Sequence, residues 1–433
     1  MNMNTLRPCA RVRRDQPAPA VRDHRREVTT HTPEDATAFL LRLGRAFHAL
    51  GYPSHRIEEM LSDSAEQLGL EGQFFTTPTS IFAAFGTQET QRTFLVRVEP
   101  GDLHLERLGR VQTISEDVLA GRQPAREGLA ALDALEREKP RWGPGITTLA
   151  FGLAGGAAAY FLGGGGPEVV VATSMAMLTG WLAVANVLPV SARRFFEVFA
   201  AFIVSLLVGF LATHFRISTY IATLGGLIVL LPGLTFSAAM AELSSQHLVS
   251  GTARLTGAVV RFLGLAFGVA LGDRVAQLAF GVAPHVVAKP LPEWALWIAL
   301  ALAPVGFTVV MRARPADFPA IMFVCVLAFF GGRIGTATLG PELGVFIAAF
   351  VAAFASNVLA HRRGVPALVT LSPALLLLVP GSIGFRSLAL FLDREVVDGI
   401  QAAFRMVLMF AALVAGLQVA AVAAPPPRLR VKR

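Results

Sequence analysis

Residues 227–238 read LIVLLPGLTFSA, and residues 375–386 read LLLLVPGSIGFR. Both are apolar runs that a Pro-Gly pair interrupts, Pro232-Gly233 in the first run and Pro380-Gly381 in the second. Proline removes a backbone hydrogen bond and clashes one turn back along a helix, and glycine adds backbone freedom. We therefore predict two membrane helices that are broken at corresponding places. Because broken backbone inside a membrane is tolerated only where protein or a water-filled cavity satisfies it, the duplicated pair predicts a substrate site.

The composition is that of a helical membrane protein. The 433 residues are 54% hydrophobic and only 16% charged, whereas about a quarter of a soluble globular chain is charged. Mean hydropathy is +0.56. Apolar runs of about 18–22 residues recur after residue 144, and they are too long for ordinary core strands. The net charge of +8 lies largely in tails and short loops, where it indicates topology in a lipid bilayer and not a nucleic-acid partner.

The N-terminal part contains two different segments. Residues 1–32 are predicted to be a disordered basic tail, a solvated leader in preference to a lipid-binding arm, and residues 33–140 a small α+β cytoplasmic domain. Thr32 is the predicted cap of a first helix that begins at Pro33. Ser54 is predicted to cap the second helix. The remaining predicted elements are strands at 73–81 and 91–98 and helices near 105–120 and 126–138.

The charged residues of this domain form no recognised catalytic motif. They include His48, His55, Arg56, Glu58, Glu59 and His104, and no HExxH, GxSxG or P-loop pattern accompanies them. Since a solvated helix face explains them more simply, we predict a regulatory or coupling module and not an enzyme. Cys9 and Cys325 provide no disulfide framework or metal motif, and no metal or cofactor is expected. The alternative is a membrane-anchored sensor or enzyme whose activity resides in residues 1–140.

Ten membrane spans are predicted. They lie near 145–162, 168–190, 195–214, 217–240, 253–273, 293–311, 317–337, 343–360, 366–391 and 398–423. The seventh is expected to be interrupted at Gly331-Gly332-Arg333. With a cytoplasmic N-terminus, the basic clusters all fall on the cytoplasmic side, at Arg193-Arg194, Arg312/Arg314, Arg362-Arg363 and in the C-terminal tail 425–433. The positive-inside rule therefore predicts that both termini are cytoplasmic.

Sequence landmarks recur in the same order in the two halves of the membrane part. They are VFAAF at 198–202 with VFIAA at 345–349, His214 with His361, Pro232 with Pro380, and Arg261 and Gly272 with Arg405 and Gly416. We predict two five-helix repeats, in residues 141–275 and 291–424. Because five is odd, the second repeat should be inverted relative to the first. Inverted repeats with discontinuous helices are the architecture of secondary transporters, whose site lies near the membrane midplane.

Candidate site residues follow from this arrangement. The two aligned arginines, Arg261 and Arg405, lie within spans, where a charge normally faces a cavity or a partner, and guanidinium suits a substrate carboxylate. Snorkelling to the interface is the simpler alternative, above all for Arg405. The residues at the breaks complete the predicted substrate set: Pro232, Gly233, Thr235, Ser237, Pro380, Gly381 and Ser382. Their hydroxyls would bind a small polar solute, or would only satisfy carbonyls that the proline frees.

Three titratable residues are available for proton coupling, Glu197, Glu242 and His361, and the last two are the candidates. Glu242 follows the first break, and His361 directly follows the eighth predicted span. A partly desolvated carboxylate at a membrane boundary can titrate near neutral pH. A solvated helix end is the alternative, and it is the interpretation that we favour for the carboxylate.

Three stretches resemble a known family. They are residues 39–70, FLLRLGRAFHALGYPSHRIEEMLSDSAEQLGL, residues 225–255, GGLIVLLPGLTFSAAMAELSSQHLVSGTARL, and the segment from Phe323 to Leu388 with its VPGS motif. Together they resemble the threonine/serine exporter family, with both of its modules in one chain. The resemblance implies a cytoplasmic N-terminal domain, ten spans and proton-driven export of small amino acids. Some relatives are linked to dicarboxylate (succinate) export.

The sequence therefore predicts a secondary transporter of the bacterial inner membrane. Its substrate is expected to be threonine, serine or a similar small solute, with protons as the coupling partner and a dicarboxylate as the alternative substrate. The oligomeric state is left open, a homo-oligomer included.

Overall fold

The computed structural model describes residues 32–87, 89–99, 101, 103–185, 189, 193, 195–378 and 396–427. Pro380, Gly381 and Ser382 lie outside the described residues, as do the basic tails at 1–31 and 428–433. Of the duplicated Pro-Gly pair, only Pro232-Gly233 is therefore described structurally.

The N-terminal unit contains four helices and one antiparallel sheet. In chain order its elements are α1 (Pro33–Ala49), α2 (Ser54–Gln67), β1 (Gly72–Thr77), β2 (Ser80–Phe85), β3 (Arg92–Arg97), α3 (Leu105–Leu119) and α4 (Ala125–Arg137). The expected cap of α1 is confirmed, because the Thr32 hydroxyl accepts a hydrogen bond from the Asp35 amide at 3.1 Å. Phe39, Leu40 and Leu43 bury one face of α1, as their helical spacing predicts.

One predicted strand of this unit is wrong. Residues 73–81 form two strands and not one, because Pro78-Thr79 turns the chain back between β1 and β2. Proline has no amide hydrogen to donate to a ladder, so it ends a strand or sits in a turn. Thr77 then pairs with Ser80 across the hairpin, and their hydroxyl oxygens lie 2.7 Å apart.

The remaining helices are predominantly apolar. They are α5 (Pro144–Phe161), α6 (Gly166–Val184), α7 (Phe196–His214), α8 (Thr219–Leu227), α9 (Gly233–Ser244), α10 (Leu248–Phe280), α11 (Ala295–Val310), α12 (Phe318–Leu339), α13 (Pro341–Arg363), α14 (Leu368–Leu378) and α15 (Val396–Ala423). Within the described residues, six helices are long and apolar enough to cross a membrane, or seven if the bent pair of α8 and α9 is one span. The chain is thus a polytopic membrane protein, and the count of ten spans stays a prediction.

The expected interruption at Gly331-Gly332-Arg333 is wrong, because α12 runs through it from Phe318 to Leu339. A glycine in a helix costs about 1 kcal/mol relative to alanine. A β-carbon added to Gly331 or Gly332 would make only ordinary contacts with Ala348 on α13, whereas one added to Gly335 would lie 2.6 Å from the Gly344 carbonyl oxygen, so Gly335 lets α12 and α13 approach closely. In a membrane, such small-residue contacts are a principal source of helix association.

The same glycine contact occurs in both halves of the membrane part. A β-carbon added to Gly272 on α10 would lie 2.5 Å from the Phe202 carbonyl oxygen on α7. One added to Gly416 on α15 would meet the Phe346 carbonyl oxygen on α13 in the same way. Each glycine follows its contact by 70 residues (272 − 202 and 416 − 346). The contacted residues, Phe202 on α7 and Phe346 on α13, are 144 positions apart. The VFAAF and VFIAA segments suggest an offset of 147, so the two alignments of α7 with α13 differ by about one helical turn.

Candidate functional site at a broken membrane helix

The predicted break at Pro232 is confirmed. Helix α8 ends at Leu227, residues Ile228–Leu230 continue it as one turn of 3-10 helix, and α9 begins at Gly233. The axes on the two sides of the break differ by 57°. Leu231, Pro232 and Gly233 are all buried, so the interrupted backbone lies inside the protein. The Gly233 amide donates to the Leu231 carbonyl at 2.8 Å, and the Phe236 amide donates to the Pro232 carbonyl at 2.9 Å.

The side chains that follow the break face neighbouring helices. Ser237 is buried, and its hydroxyl donates to the Gly233 carbonyl at 3.1 Å, so in this conformation it satisfies backbone of its own helix. Thr235 is half-buried. The Phe236 ring contacts Phe262 on α10 and Phe410 on α15, at centroid distances of 6.4 and 5.3 Å. The first turn of α9 therefore packs against helices from both halves of the membrane part.

Glu242, near the end of α9, is completely buried and fully hydrogen-bonded. One carboxylate oxygen accepts from the Ser54 amide at 2.9 Å and from Arg254 Nη2 at 3.1 Å. The other accepts from the Ser250 hydroxyl at 2.8 Å and from Arg254 Nε at 3.1 Å. Arg254 thus holds the carboxylate in a bidentate ion pair, the arrangement that makes burial of a charge tolerable.

The structure corrects the role expected of Ser54. Pro53 occupies the cap position of α2 and its side chain makes no capping hydrogen bond, and Ser54 is the first residue of the helix. The first amides of a helix lack partners within the helix and carry partial positive charge. Glu242 accepts from the Ser54 amide, so a carboxylate from the membrane part caps α2. The Ser54 hydroxyl lies 2.6 Å from that of Ser250 on α10.

The other candidate residues are placed away from the break. Arg261 lies on an exposed face of α10 beside Val260 and Leu263, which are also exposed. Arg405 is exposed on α15 and lies 3.6 Å from Glu342 on α13. His361 is exposed in the last turn of α13. Within the described part of the chain, no hydrogen bond or ion pair joins any of the three to residues 231–237.

A cleft of about 230 Å³ lies at the opposite end of the broken helix, where α8 begins and α10 ends. Its polar lining includes Ser218, Thr219, Asp273, Gln277 and His285. Sequence reasoning missed this cleft, because it forms only where the 281–286 segment folds back over α8. The buried Glu168 braces the same end, since its carboxylate accepts from the amides of Gly165 and Ser218, each at 2.9 Å.

Two family models match the chain in succession. One, described as a threonine/serine exporter, matches residues 38–275. The second, described as "Threonine/Serine exporter, ThrE", matches residues 296–423. The chain belongs to the threonine/serine exporter family. The resemblance seen in the sequence is thereby confirmed, and both modules of the family are present in one chain.

Curated relatives of this exporter-family chain include yeast proteins named pheromone-regulated membrane protein 10. The one from Candida glabrata is 24% identical over 399 residues, which cover 88% of this chain and 49% of the relative. Those from Saccharomyces cerevisiae and Eremothecium gossypii are 25% and 26% identical, and the matches cover 82% and 81% of this chain and 48% of each relative. The chain spans less than half the length of these relatives. No solved structure matches it.

The boundaries of the two modules show which contacts at the break cross between them. The N-terminal unit and helices α5–α10 belong to the first module, and helices α11–α15 belong to the second. The Phe236–Phe410 contact therefore crosses from one exporter module to the other beside the broken helix. Within the described residues, no group of histidine, cysteine and carboxylate side chains is arranged to hold a metal ion.

Arg254 and Ser250 are polar partners of Glu242 that sequence reasoning missed. Ser250 precedes the predicted start of the fifth span at residue 253, and Arg254 lies at its edge. Both therefore fall in or beside a predicted loop. The available signal was spacing: α9 and α10 form an antiparallel pair with a short connection, which places residues soon after the corner beside residues soon before it. Glu242 and Arg254 are related in this way.

The N-terminal unit also contacts the membrane part through the start of α3. The amides of Leu105 and Glu106 donate to the carbonyls of Met311 and Arg312, each at 3.0 Å. His104 caps α3, because its Nδ1 accepts from the Arg107 amide at 3.3 Å. Burial, reinforced by the nearby positive charges of Arg107 and Arg312, lowers the pKa of His104 to about 4. Burial and the charge of Arg56 likewise lower the pKa of His55 to about 4.

We expect the protein to lose stability when the pH falls from 7 to 5. The unfolded chain binds a proton at each histidine with a pKa near 6.5, whereas the folded chain does not until about pH 4, so stability falls as pH drops through this window. Each histidine should lower the free energy of unfolding by about 2 kcal/mol between pH 7 and pH 5. The measurement is the thermal unfolding midpoint in mild detergent against pH. His104→Asn, which keeps a capping oxygen and does not titrate, should flatten the dependence, and an unchanged slope would contradict the assignment.

Proposed function

We propose that the protein is a secondary transporter that exports threonine, serine or a similar small solute, with protons as the driving ion. The observation that carries the proposal is the buried break at Pro232-Gly233 inside an apolar helix pair bent by 57°. Transporters build substrate sites from such half-helices, because their ends present uncompensated backbone groups at membrane depth. Membership of the exporter family supports a small-molecule substrate.

The chemistry of the break suits an amino acid. The N-terminal end of α9 begins at Gly233 without a side-chain cap, and amides at a helix start favour a carboxylate. The carbonyls at the end of α8 and its 3-10 turn favour an ammonium group. Thr235 and Ser237 lie in the first turn of α9, where their hydroxyls would select a small polar side chain. Pro380, Gly381 and Ser382 would supply the corresponding groups from the second module.

The proposed architecture is a pair of inverted five-helix repeats with ten spans and cytoplasmic termini, in a bacterial inner membrane. Equivalent glycine contacts at Gly272 and Gly416 support the repeat, because each brings the last helix of its half against the third. The basic clusters of the short loops support the orientation. The two halves would rock about the broken helices, and alternate exposure of the site would move solute outward.

Glu242 and His361 stay the proposed groups for proton coupling, and their surroundings differ. All four contacts of the Glu242 carboxylate come from donors, so a proton on either oxygen would displace one of them. Protonation of Glu242 would therefore loosen the contact between the N-terminal unit and α9. His361 is exposed near a helix end and would exchange protons with solvent directly.

Counterflow in proteoliposomes tests the function. We expect uptake of labelled threonine or serine, stimulated by a pH gradient, and at least tenfold slower uptake by the Pro232→Ala/Gly233→Ala variant, because a continuous helix removes the free backbone groups. Pro304→Ala is the matched control, since Pro304 lies inside the continuous helix α11. Absence of threonine, serine and succinate uptake by the unaltered protein would refute the proposal.

The same assay separates an amino acid from a dicarboxylate. Succinate needs two cationic partners, so Arg261→Gln and Arg405→Gln should each slow its uptake if it is the substrate. Both arginines are exposed in the described structure, and threonine or serine uptake that is unchanged in both variants would place them outside the pathway.

A further inference from the structure

We propose that the N-terminal unit, residues 33–137, is a clamp that holds the two membrane modules together and must release its contact with Glu242 for the transporter to cycle. The proposal rests on the proposed transport function and deepens it, because it assigns the regulation of the same site. Its basis is a pair of contacts, one on each module, made by the starts of α2 and α3.

The first contact is polar and lies at the corner between α9 and α10. The start of α2 is capped by Glu242, and the hydroxyls of Ser54 and Ser250 lie 2.6 Å apart. Glu58 on α2 adds a contact to His247 at 3.3 Å, and the rings of His55 and His247 are 5.7 Å apart. Because α9 begins at the break, this contact joins the N-terminal unit to the half-helix that starts at the proposed site.

The second contact lies at the corner between α11 and α12, in the other module. The first amides of α3 donate to the carbonyls of Met311 and Arg312, and the Trp142 indole donates to the Ala313 carbonyl at 3.0 Å. Apolar side chains surround these bonds, since one continuous buried cluster contains Leu105 and Leu108 of α3 together with Ile321 and Val324 of α12. This contact is held by apolar burial as well as by hydrogen bonds.

Both corners are tight turns that cap a membrane helix, so a contact with either one lies at the end of that helix. Gln246 and Arg312 adopt left-handed backbone, with φ values of 67° and 53°, at the ends of α9 and α11. The residue after each donates back to its helix: His247 to the Glu242 carbonyl at 2.9 Å, and Ala313 to the Thr308 carbonyl at 2.8 Å. These are the hydrogen bonds of a Schellman cap. The clamp therefore ties α9 of the first module to α11 and α12 of the second.

The difference between the two contacts identifies the one that opens. Movement of one module against the other must break at least one of them. The α3 contact would expose a buried apolar cluster, whereas the α2 contact is polar, with the Glu242 carboxylate and its hydrogen-bond donors at its centre and the Glu58–His247 pair beside them. Loss of charge on Glu242, by protonation or substitution, leaves only a neutral acceptor for the helix start, which weakens the α2 contact and leaves the apolar contact intact.

Thiol labelling tests the release without any transport measurement. In a Cys9→Ser background, a Ser54→Cys thiol should be protected, because Ser54 is fully buried, and adding Glu242→Gln should raise its labelling rate at least tenfold. The matched control is Ser64→Cys, which is equally buried on the same helix but within the unit. An unchanged rate at Ser54→Cys would overturn the proposal. Equal increases at both positions would overturn it too, since Glu242 would then only stabilise the fold of the unit.

A reversible cross-link tests whether transport requires the release. The short distance between the two hydroxyls suits a disulfide in Ser54→Cys/Ser250→Cys. Oxidation should slow threonine or serine counterflow at least tenfold, and dithiothreitol should restore it. Thr77→Cys/Ser80→Cys, a pair 2.7 Å apart within the unit, is the control and should leave counterflow unchanged when oxidised.

The two proposals fail in different ways. If the cross-linked protein carries out counterflow as fast as the dithiothreitol-treated protein, the clamp proposal is wrong and the transporter assignment stands. If reduced and unaltered proteins carry none of the solutes, the transport proposal fails, and the labelling comparison still decides whether Glu242 holds the N-terminal unit on the membrane part.

Discussion

Replacing Arg254 by methionine is expected to cost about 3–5 kcal/mol of stability, because it leaves the carboxylate of Glu242 buried without its ion-pair partner. Glu242 is inaccessible to solvent, and the arginine supplies two of its four hydrogen bonds. The remaining donors, the Ser54 amide and the Ser250 hydroxyl, carry no full charge. The measurement is the thermal unfolding midpoint of the full chain in mild detergent, and unfolding is monitored as the loss of monodisperse protein.

Two variants show whether the ion pair is the cause. Arg254→Met combined with Glu242→Gln should recover much of the loss, because no buried charge is then left without a partner. Arg122→Met removes an exposed ion pair with Asp117 and should cost less than about 1 kcal/mol. A midpoint for Arg254→Met as close to the unaltered protein as that of Arg122→Met would contradict the buried ion pair.

Replacing Gly272 or Gly416 by leucine is expected to be similarly damaging, at about 3 kcal/mol or more, because the added side chain has no space. A β-carbon at Gly272 would lie 2.5 Å from the Phe202 carbonyl oxygen and 2.9 Å from the Ser205 β-carbon. The obstacle is partly backbone, so α7 and α10 must separate as whole helices. The same argument holds for Gly416 with the backbone of α13.

Gly257→Leu on α10 is the matched control for this prediction. No atom lies within 4 Å of a β-carbon added there, and leucine favours a helix over glycine, so we expect equal or higher stability. The measurement is again the unfolding midpoint, together with the yield of folded protein from membranes. Equal effects at Gly257 and Gly272 would show that leucine acts through insertion into the membrane and not through helix packing.

The placement of the helices could be predicted from the sequence because it depends on local properties. The length of apolar runs determines which segments can span a membrane, and the Pro232-Gly233 pair disfavours a continuous helix through contacts within one turn. Thr32 and Pro33 likewise start α1 through contacts within one turn. The turn within residues 73–81 is also local, because Pro78 cannot donate to a strand ladder, and α12 continues through Gly331-Gly332 because a helical glycine costs only about 1 kcal/mol.

The partners of individual polar side chains were beyond the reach of the sequence. Arg261 and Arg405 are candidate ligands for a substrate carboxylate because they align, yet both are exposed in the structure. Arg254 is not a candidate on sequence grounds, yet it forms the ion pair with the buried carboxylate of Glu242. Helical periodicity gives the face of a helix, but the identity of the element against that face depends on contacts between residues far apart in the chain.

The sequence by itself determined that this chain is a polytopic membrane protein of two modules with a helix broken at Pro232-Gly233, since hydropathy, periodicity and proline chemistry act over a few residues. Only the tertiary structure decided what Glu242 does. Its carboxylate meets the Ser54 amide across 188 positions of sequence, because burial of the apolar faces of the N-terminal unit and α12 brings the start of α2 to the end of α9. A carboxylate predicted at a helix end is thereby the cap of a helix in another part of the protein.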